Sequence, residues 1–294
     1  MINRLPPPAA LVLTATISVQ FGAALATTLF DELGPSGAAV YRIGLAAVIL
    51  CVIARPSLHG LDRADVKLLV AYGLALGVMN TTFYEALERI PLGVAVTIEF
   101  AGPLGVAVAL SRRRLDLVWV VLAAAGILLL ARPWDAGAVD PLGLVFVAIA
   151  AACWAAYILL AARTGGRFEG LRGIALAMVV ATFVPIVPGV AQAGGELLVP
   201  SLIAIGIGVA VLSSVIPYGL ELTALRRMPR NVFAVLMSLE PAMAAAAGFI
   251  VLGQALGALE LVAIGLVVCA SVGASVAGPP ADDGDSAEPV PLGA

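Results

Sequence analysis

Two of the most apolar stretches of the chain each place a carboxylate close to a proline. The stretch AVTIEFAGPLGVAVAL carries Glu99 and Pro103, and the stretch AVLMSLEPAMAAAAGFIVL carries Glu240 and Pro241. A charge in apolar surroundings is costly unless it is paired, and a proline inside a helix leaves the carbonyl four residues earlier without its donor. We therefore predict that both carboxylates bind a proton or the ammonium group of a substrate. A structural hydrogen bond to a neighbouring helix is the alternative.

Other polar residues interrupt the apolar segments and also have more than one interpretation. Arg42 extends along its stem towards a surface, pairs with a carboxylate such as Glu99, or binds the carboxylate of a substrate. Asn80 forms a polar patch with Thr81 and Thr82. This patch either lines a site or hydrogen-bonds a neighbouring helix.

A later apolar segment carries Tyr218 and Glu221 directly after Pro217. Tyr218 is a candidate binding residue. Glu221 either takes part in binding or forms an ion pair with Arg226 or Arg227 at the edge of the segment. Three weaker candidates, which either line a cavity or simply pack, are Gln20, Trp154 and Tyr157.

The composition identifies the class of protein that must position these residues. The chain has 294 residues, of which 62% are hydrophobic and 12% are charged, and its mean hydropathy is +1.08. A soluble domain has about 45–50% apolar and about 25% charged residues. Apolar windows of 18 or more residues, long enough to cross a bilayer about 30 Å thick, recur along the chain. The sequence therefore predicts an all-α protein of the lipid bilayer.

The apolar periods and the short polar linkers between them divide the chain into ten predicted transmembrane helices. Their predicted bounds are 9–30, 36–54, 66–86, 92–110, 116–131, 141–162, 173–192, 201–225, 231–252 and 256–277. The acidic segment 278–294 has no apolar periodicity, and we predict a disordered cytoplasmic tail there.

The basic residues predict the orientation of these helices. With the N-terminus in the cytoplasm, thirteen of the 16 Lys and Arg residues face inwards, only Arg89 and Arg132 face outwards, and Arg42 lies inside a span. Such a bias is the positive-inside signal. It predicts cytoplasmic termini and an inner loop at Arg112–Arg114 in the cytoplasmic membrane.

The two halves of the chain share an internal pattern. Ala86-Leu87 and Ala224-Leu225 are separated by 138 positions, and so are the prolines Pro91 and Pro229 and the prolines Pro103 and Pro241. This spacing predicts five-helix repeats at 1–135 and 136–277. Because five is odd, the repeats must cross the membrane in opposite senses, which is typical of secondary transporters with a site near the midplane.

The motifs NTTFYEALERIPLGVAVTIEFAGPL and SSVIPYGLELTALRRMPRNVFAVLMSLEPAMAA resemble those of the drug/metabolite transporter superfamily with paired EamA-type domains. Within it they resemble the threonine/homoserine exporter branch. The resemblance covers about 9–277, and it implies ten helices and export of small amino acids driven by an ion gradient. This chain has Gly253-Gln254 where the branch commonly has Gly-Glu, so Gln254 is left out of the predicted site.

The expected function is secondary active export of a small amino acid across the cytoplasmic membrane, by alternating access and proton antiport. A glutamate would hold the ammonium group and exchange protons, and Arg42 or the N-terminus of a broken helix would hold the carboxylate. Exporters of drugs or other metabolites are the main alternative, followed by a channel and an integral-membrane enzyme. The chain lacks a nucleotide-binding loop, a paired-His motif and a Ser-His arrangement. We expect no catalytic residue, cofactor, metal or nucleic-acid partner.

Overall fold

The structure is a computed structural model that describes residues 6–110, 116–131, 139–225, 227–228, 233 and 236–277. All regular elements in these ranges are helical. The predicted Arg112–Arg114 loop and the predicted tail lie outside the described residues.

Thirteen α-helices are described in chain order. They are α1 (Pro8–Thr27), α2 (Phe30–Val40), α3 (Ala46–Ala54), α4 (Arg63–Leu87), α5 (Leu92–Glu99), α6 (Ala101–Leu110), α7 (Asp116–Ala131), α8 (Pro141–Arg167), α9 (Arg172–Ala193), α10 (Pro200–Ala210), α11 (Ile216–Leu225), α12 (Glu240–Leu252) and α13 (Ala258–Ala277). Two π-helical turns, π1 (Tyr41–Leu45) and π2 (Val211–Val215), join α2 to α3 and α10 to α11. A 3₁₀ turn, Gly194–Leu198, follows α9.

Six helical segments are long and apolar enough to cross a membrane. They are Pro8–Thr27, Phe30–Ala54, Arg63–Leu87, Pro141–Arg167, Arg172–Leu198 and Pro200–Glu221. Four shorter apolar helices are Leu92–Val106, Val118–Leu130, Glu240–Leu252 and Ala258–Gly273. Each of the ten predicted spans overlaps one of these segments. Ten complete crossings remain a prediction.

The second predicted span begins differently from the sequence-based expectation. Helix α2 starts at Phe30, the last residue of the predicted first span, runs through the predicted linker, and is broken at Gly34, whose φ is 66° and ψ is 166°. Glycine adopts this backbone without strain because it has no Cβ. A Cβ on Gly34 would also lie 2.5 Å from Oε1 of Gln192 and 2.9 Å from its Cβ. The chain therefore changes direction at Gly34 directly against the end of α9.

The two π turns pack against each other, and π2 also packs against α1. In a π turn the backbone bonds run from residue i to i+5, which leaves carbonyls free for other donors. The hydroxyl of Ser18 donates to the carbonyl of Leu212 at 2.7 Å, within π2. The Tyr41 ring lies against Gly206 of α10, and its hydroxyl donates to the carbonyl of Leu197 at 3.0 Å. The side chains of Ser18 and Tyr41 thus connect the two π turns to other parts of the interior.

The remaining packing brings the two halves of the chain together. Helix α4 packs on α8 and α9, α2 on α9, α1 on α11 and α12, α5 on α12, and α7 on α13. Small residues allow close approach: a Cβ on Gly93 would lie 2.9 Å from Cα of Ala245, where α5 meets α12. Every one of these contacts joins a helix of residues 6–131 to a helix of residues 139–277. The core is therefore an interface between the halves.

Candidate functional site

A cavity of about 90 Å³ lies in the interior between these halves. Five polar or charged side chains and six apolar ones form its walls. They are Val19, Gln20, Ala23, Arg42, Met79, Asn80, Phe83, Val96, Glu99, Trp154 and Glu240. The predicted residues Arg42, Asn80, Glu99 and Glu240 are therefore brought together around one space. They come from four separate spans.

Arg42 is buried, with 7% of its surface exposed, and lies on π1. Its Nη2 donates to the carbonyl of Ser213 on π2 at 3.5 Å, and its guanidinium lies 5.3 Å from the centroid of the Tyr84 ring. A guanidinium over an aromatic face is attracted by the ring quadrupole. Among the described residues Arg42 forms no ion pair with a carboxylate. Its positive charge is held in the interior by a carbonyl and a ring.

Glu99 and Glu240 are both buried, and each lies where its helix is interrupted. Glu99 is the last residue of α5, which is separated from α6 by Phe100. Glu240 is the first residue of α12, directly after a turn at residues 238–239. One oxygen of Glu240, Oε2, has no hydrogen-bond partner in the described part of the chain. Breaks beside both carboxylates agree with the effect expected of Pro103 and Pro241.

The polar patch on α4 does not bond neighbouring helices through its donors. Nδ2 of Asn80 donates to the carbonyl of Leu76 at 2.8 Å, and the hydroxyls of Thr81 and Thr82 donate to carbonyls one turn earlier on α4. Of the three residues only Asn80 lines the cavity. This bond uses one of the two N–H groups of Asn80 and leaves the other N–H and the Oδ1 acceptor.

Of the three weaker candidates, Gln20 and Trp154 line the cavity and Tyr157 does not. Gln20 lines the cavity, is only 5% exposed, and has an Oε1 without a partner among the described residues. Trp154 is also part of the wall and packs edge-on against Phe100, with 5.2 Å between ring centroids. Tyr157 instead stacks on Tyr72 at 5.5 Å and lies outside the wall.

Tyr218 and Glu221 are not among the residues that line the cavity. Tyr218 is half-buried and packs on the apolar cluster that contains Tyr72. Glu221 forms no ion pair with Arg227, whose guanidinium donates to the carbonyl of Pro6 at 3.1 Å. The other expected partner, Arg226, lies outside the described residues.

Sequence reasoning missed Tyr84 and Ser213 as neighbours of Arg42. Tyr84 is completely buried, and neither its hydroxyl nor that of Ser213 has a partner in the described ranges. Tyr84 lies four residues after Asn80, which places both on one face of α4. That spacing, and the pair Ser213-Ser214 within an apolar span, are the sequence signals from which the two residues could have been found.

A polar network ties three spans together near the end of α4. Glu85 accepts from Oγ of Ser36 at 2.6 Å and from Nε2 of Gln192 at 3.0 Å, and Gln192 in turn accepts from the backbone NH of Ser36 at 2.8 Å. Arg89 forms an ion pair with Glu85 at 3.3 Å and with Glu88 at 2.7 Å. The network therefore joins α2, α4 and α9 by side-chain hydrogen bonds.

A second set of charged contacts lies at the start of α4. Asp62 and Asp65 form a capping box, in which the two side chains accept from each other's backbone NH. Arg167, at the end of α8, forms ion pairs with both carboxylates, the one to Asp62 at 2.7 Å. The ends of α4 are thus tied to α9 at one end and α8 at the other, with the cavity between them.

Gln254, which departs from the family pattern, has a structural contact. Its Oε1 accepts from the backbone NH of Leu92 at 3.0 Å, at the first turn of α5. This NH has no partner within its own helix. Gln254 therefore links the end of α12 to the start of α5 and does not line the cavity.

Comparison with known proteins identifies similar chains. Residues 141–276 match the EamA-like transporter family. The chain is 40% identical over 270 residues to the threonine/homoserine exporter RhtA of Escherichia coli strain K12, covering 92% of this chain and 91% of the relative. RhtA of Salmonella typhimurium strain SL1344 has the same identity and coverage. A protein of known crystal structure shares the fold, with a TM-score of 0.59 at 19% identity, over 91% of this chain and 96% of its own.

Proposed function

Because this chain belongs to the EamA-like transporter family, and is a multi-pass membrane exporter of small molecules rather than an enzyme, we propose that it exports small amino acids resembling threonine and homoserine. The observation that carries the proposal is the interior cavity, whose walls contain Arg42, Glu99 and Glu240. An amino acid at neutral pH carries one positive and one negative charge. A site with both signs of charge matches that pattern.

We assign a role to each charged group. Arg42 binds the substrate carboxylate, because its guanidinium offers several donors and forms no ion pair among the described residues. Glu99 or Glu240 binds the ammonium group. A carboxylate buried without its ligand favours the protonated form, so proton uptake can alternate with substrate binding and couple export to proton entry.

The size of the cavity supports a small substrate. Its volume of about 90 Å³ lies below the range of about 300–1,000 Å³ that is typical of pockets for drug-sized ligands. It exceeds the roughly 10–15 Å³ needed to hold one water molecule. The charged cavity therefore supports an amino acid better than a drug-sized ligand, whereas a separate apolar cavity of about 450 Å³ between α6 and α8 has the size of a drug pocket.

The pattern of helix contacts supports an arrangement of ten spans in two inverted repeats. If α1 corresponds to α8 and α4 to the span α10–α11, then the contact of α4 with α8 has its counterpart in the contact of α1 with α11. The pairs α2 with α9, α5 with α12 and α7 with α13 each join corresponding spans. The break at Phe100 also corresponds to the turn at Ser238 under the 138-residue spacing. Alternating access then follows from movement of one repeat against the other.

The proposal is tested in proteoliposomes loaded with labelled threonine or homoserine, with and without a pH gradient. We expect uphill flux that depends on the gradient. Glu99→Gln and Glu240→Gln keep the side-chain size and remove the charge, and at least one of them should lose uphill flux at normal membrane levels. Glu196→Gln, at an exposed position, is the matched control.

Two results contradict the proposal. If no small amino acid were transported, the proposed class of substrate would be wrong. If both glutamine variants kept normal uphill flux and an unchanged pH dependence, neither carboxylate would couple export to protons. Both carboxylates would then have a structural role.

A further inference from the structure

Gln20 is a buried amide that makes no hydrogen bond to any described residue, although it lines the cavity. Such a group is costly, because a buried polar atom without a partner loses its hydration and gains no hydrogen bond in return. Most buried polar groups in proteins have a partner. The amide of Gln20 is therefore suited to a ligand that enters the cavity.

We propose that Gln20 recognises the side-chain hydroxyl of the transported amino acid, and so selects hydroxyl-bearing substrates over apolar ones of equal size. This inference rests on the proposed function, and it adds the part of the substrate that the charged residues do not contact. A hydroxyl donates one hydrogen bond and accepts others, and an amide has a carbonyl acceptor and two NH donors. The two groups can therefore form a pair of hydrogen bonds. Nε2 donates to the hydroxyl oxygen, and the hydroxyl group donates to Oε1.

The other polar groups of the cavity leave this role to Gln20. Arg42 is assigned to the substrate carboxylate, and the two glutamates are assigned to its ammonium group. One N–H of Asn80 is already bonded to the carbonyl of Leu76, which ties its amide to its own helix. Gln20 is the amide of the described wall that makes no hydrogen bond to any described residue.

The apolar part of the wall accommodates the rest of a short side chain. Val19 and Ala23 flank Gln20 on α1, and Met79 and Phe83 belong to α4. These groups provide contact for a methyl or methylene group and no hydrogen bond. Threonine and valine differ only in a hydroxyl that replaces a methyl, so the apolar wall by itself discriminates poorly between them.

The experiment measures initial export of labelled threonine and of labelled valine by the whole protein in proteoliposomes. The unmodified protein should prefer threonine strongly. Gln20→Met preserves length and volume while removing both hydrogen-bonding groups, and it should reduce the threonine-to-valine ratio about tenfold or more. Thr14→Val, an exposed polar-to-apolar change on the same helix, should leave the ratio unchanged.

The outcomes separate the two proposals. If the unmodified protein exports no amino acid, the proposed function fails and this inference fails with it. If it exports threonine and valine equally, or if Gln20→Met keeps the original ratio, only the role of Gln20 is overturned. Should Gln20→Met not reach the membrane, Gln20→Ala takes its place, with the same expected fall in the ratio.

Discussion

Replacing Gly22 by alanine should impair both stability and transport, because α1 lies directly against π2 at this residue. A Cβ on Gly22 would lie 2.8 Å from the backbone nitrogen of Ser213 and 2.9 Å from Cβ of Leu212. Neither atom belongs to a flexible side-chain end, so π2 itself must move. Overpacking of this kind costs about 1–3 kcal/mol, whereas alanine gains about 0.5–1 kcal/mol over glycine within a helix.

Gly219→Ala provides the matched control. Gly219 lies on α11 in the same span as π2, and a Cβ there would meet nothing within 4 Å. Both variants gain the same helix propensity, so the difference between them isolates the overpacking, about 1–3 kcal/mol. We expect a lower Tm in detergent for Gly22→Ala than for Gly219→Ala, together with reduced threonine flux, because the carbonyl that receives Arg42 is displaced. Equal Tm and equal flux in the two variants would refute this reasoning.

Two further predictions concern segments outside the described residues. In a cysteine-free background, single cysteines at Arg112–Arg114 should resist impermeant thiol reagents in intact cells, because the basic bias predicts a cytoplasmic loop; ready labelling would reverse the orientation. Deletion of residues 280–294 should leave flux unchanged, because this acidic segment carries no folding signal and lies outside both predicted repeats; loss of flux at normal membrane levels would assign it a role.

Much of the site could be predicted from the sequence because the surroundings of each residue are so apolar. Glu99, Glu240 and Arg42 are costly in an apolar segment, so their presence alone predicts an interior polar site. All three line the cavity. Gln20 and Trp154 are harder to predict, because a single amide or aromatic residue is common in a transmembrane span and its sequence position does not show which way it faces.

The positions of Tyr218 and Glu221 could not be predicted from helical periodicity. Both follow π2, and a π turn contains an extra residue relative to α-helical spacing, which rotates the rest of the helix by about 100°. Residues placed on the cavity face by counting from the start of the span then fall elsewhere. The break at Gly34 was likewise hidden, because a Gly-Pro pair is equally typical of a linker.

The contact between Gly34 and Gln192 restricts which substitutions can accumulate at either position during evolution. Any side chain at Gly34 meets the positive φ and also collides with Gln192, whereas shortening Gln192 first removes the acceptor of the Ser36 backbone NH and a donor to Glu85. Shortening Gln192 would relieve the collision but not the positive φ of residue 34. We therefore expect Gly34 to stay glycine among relatives even where the residue at 192 differs.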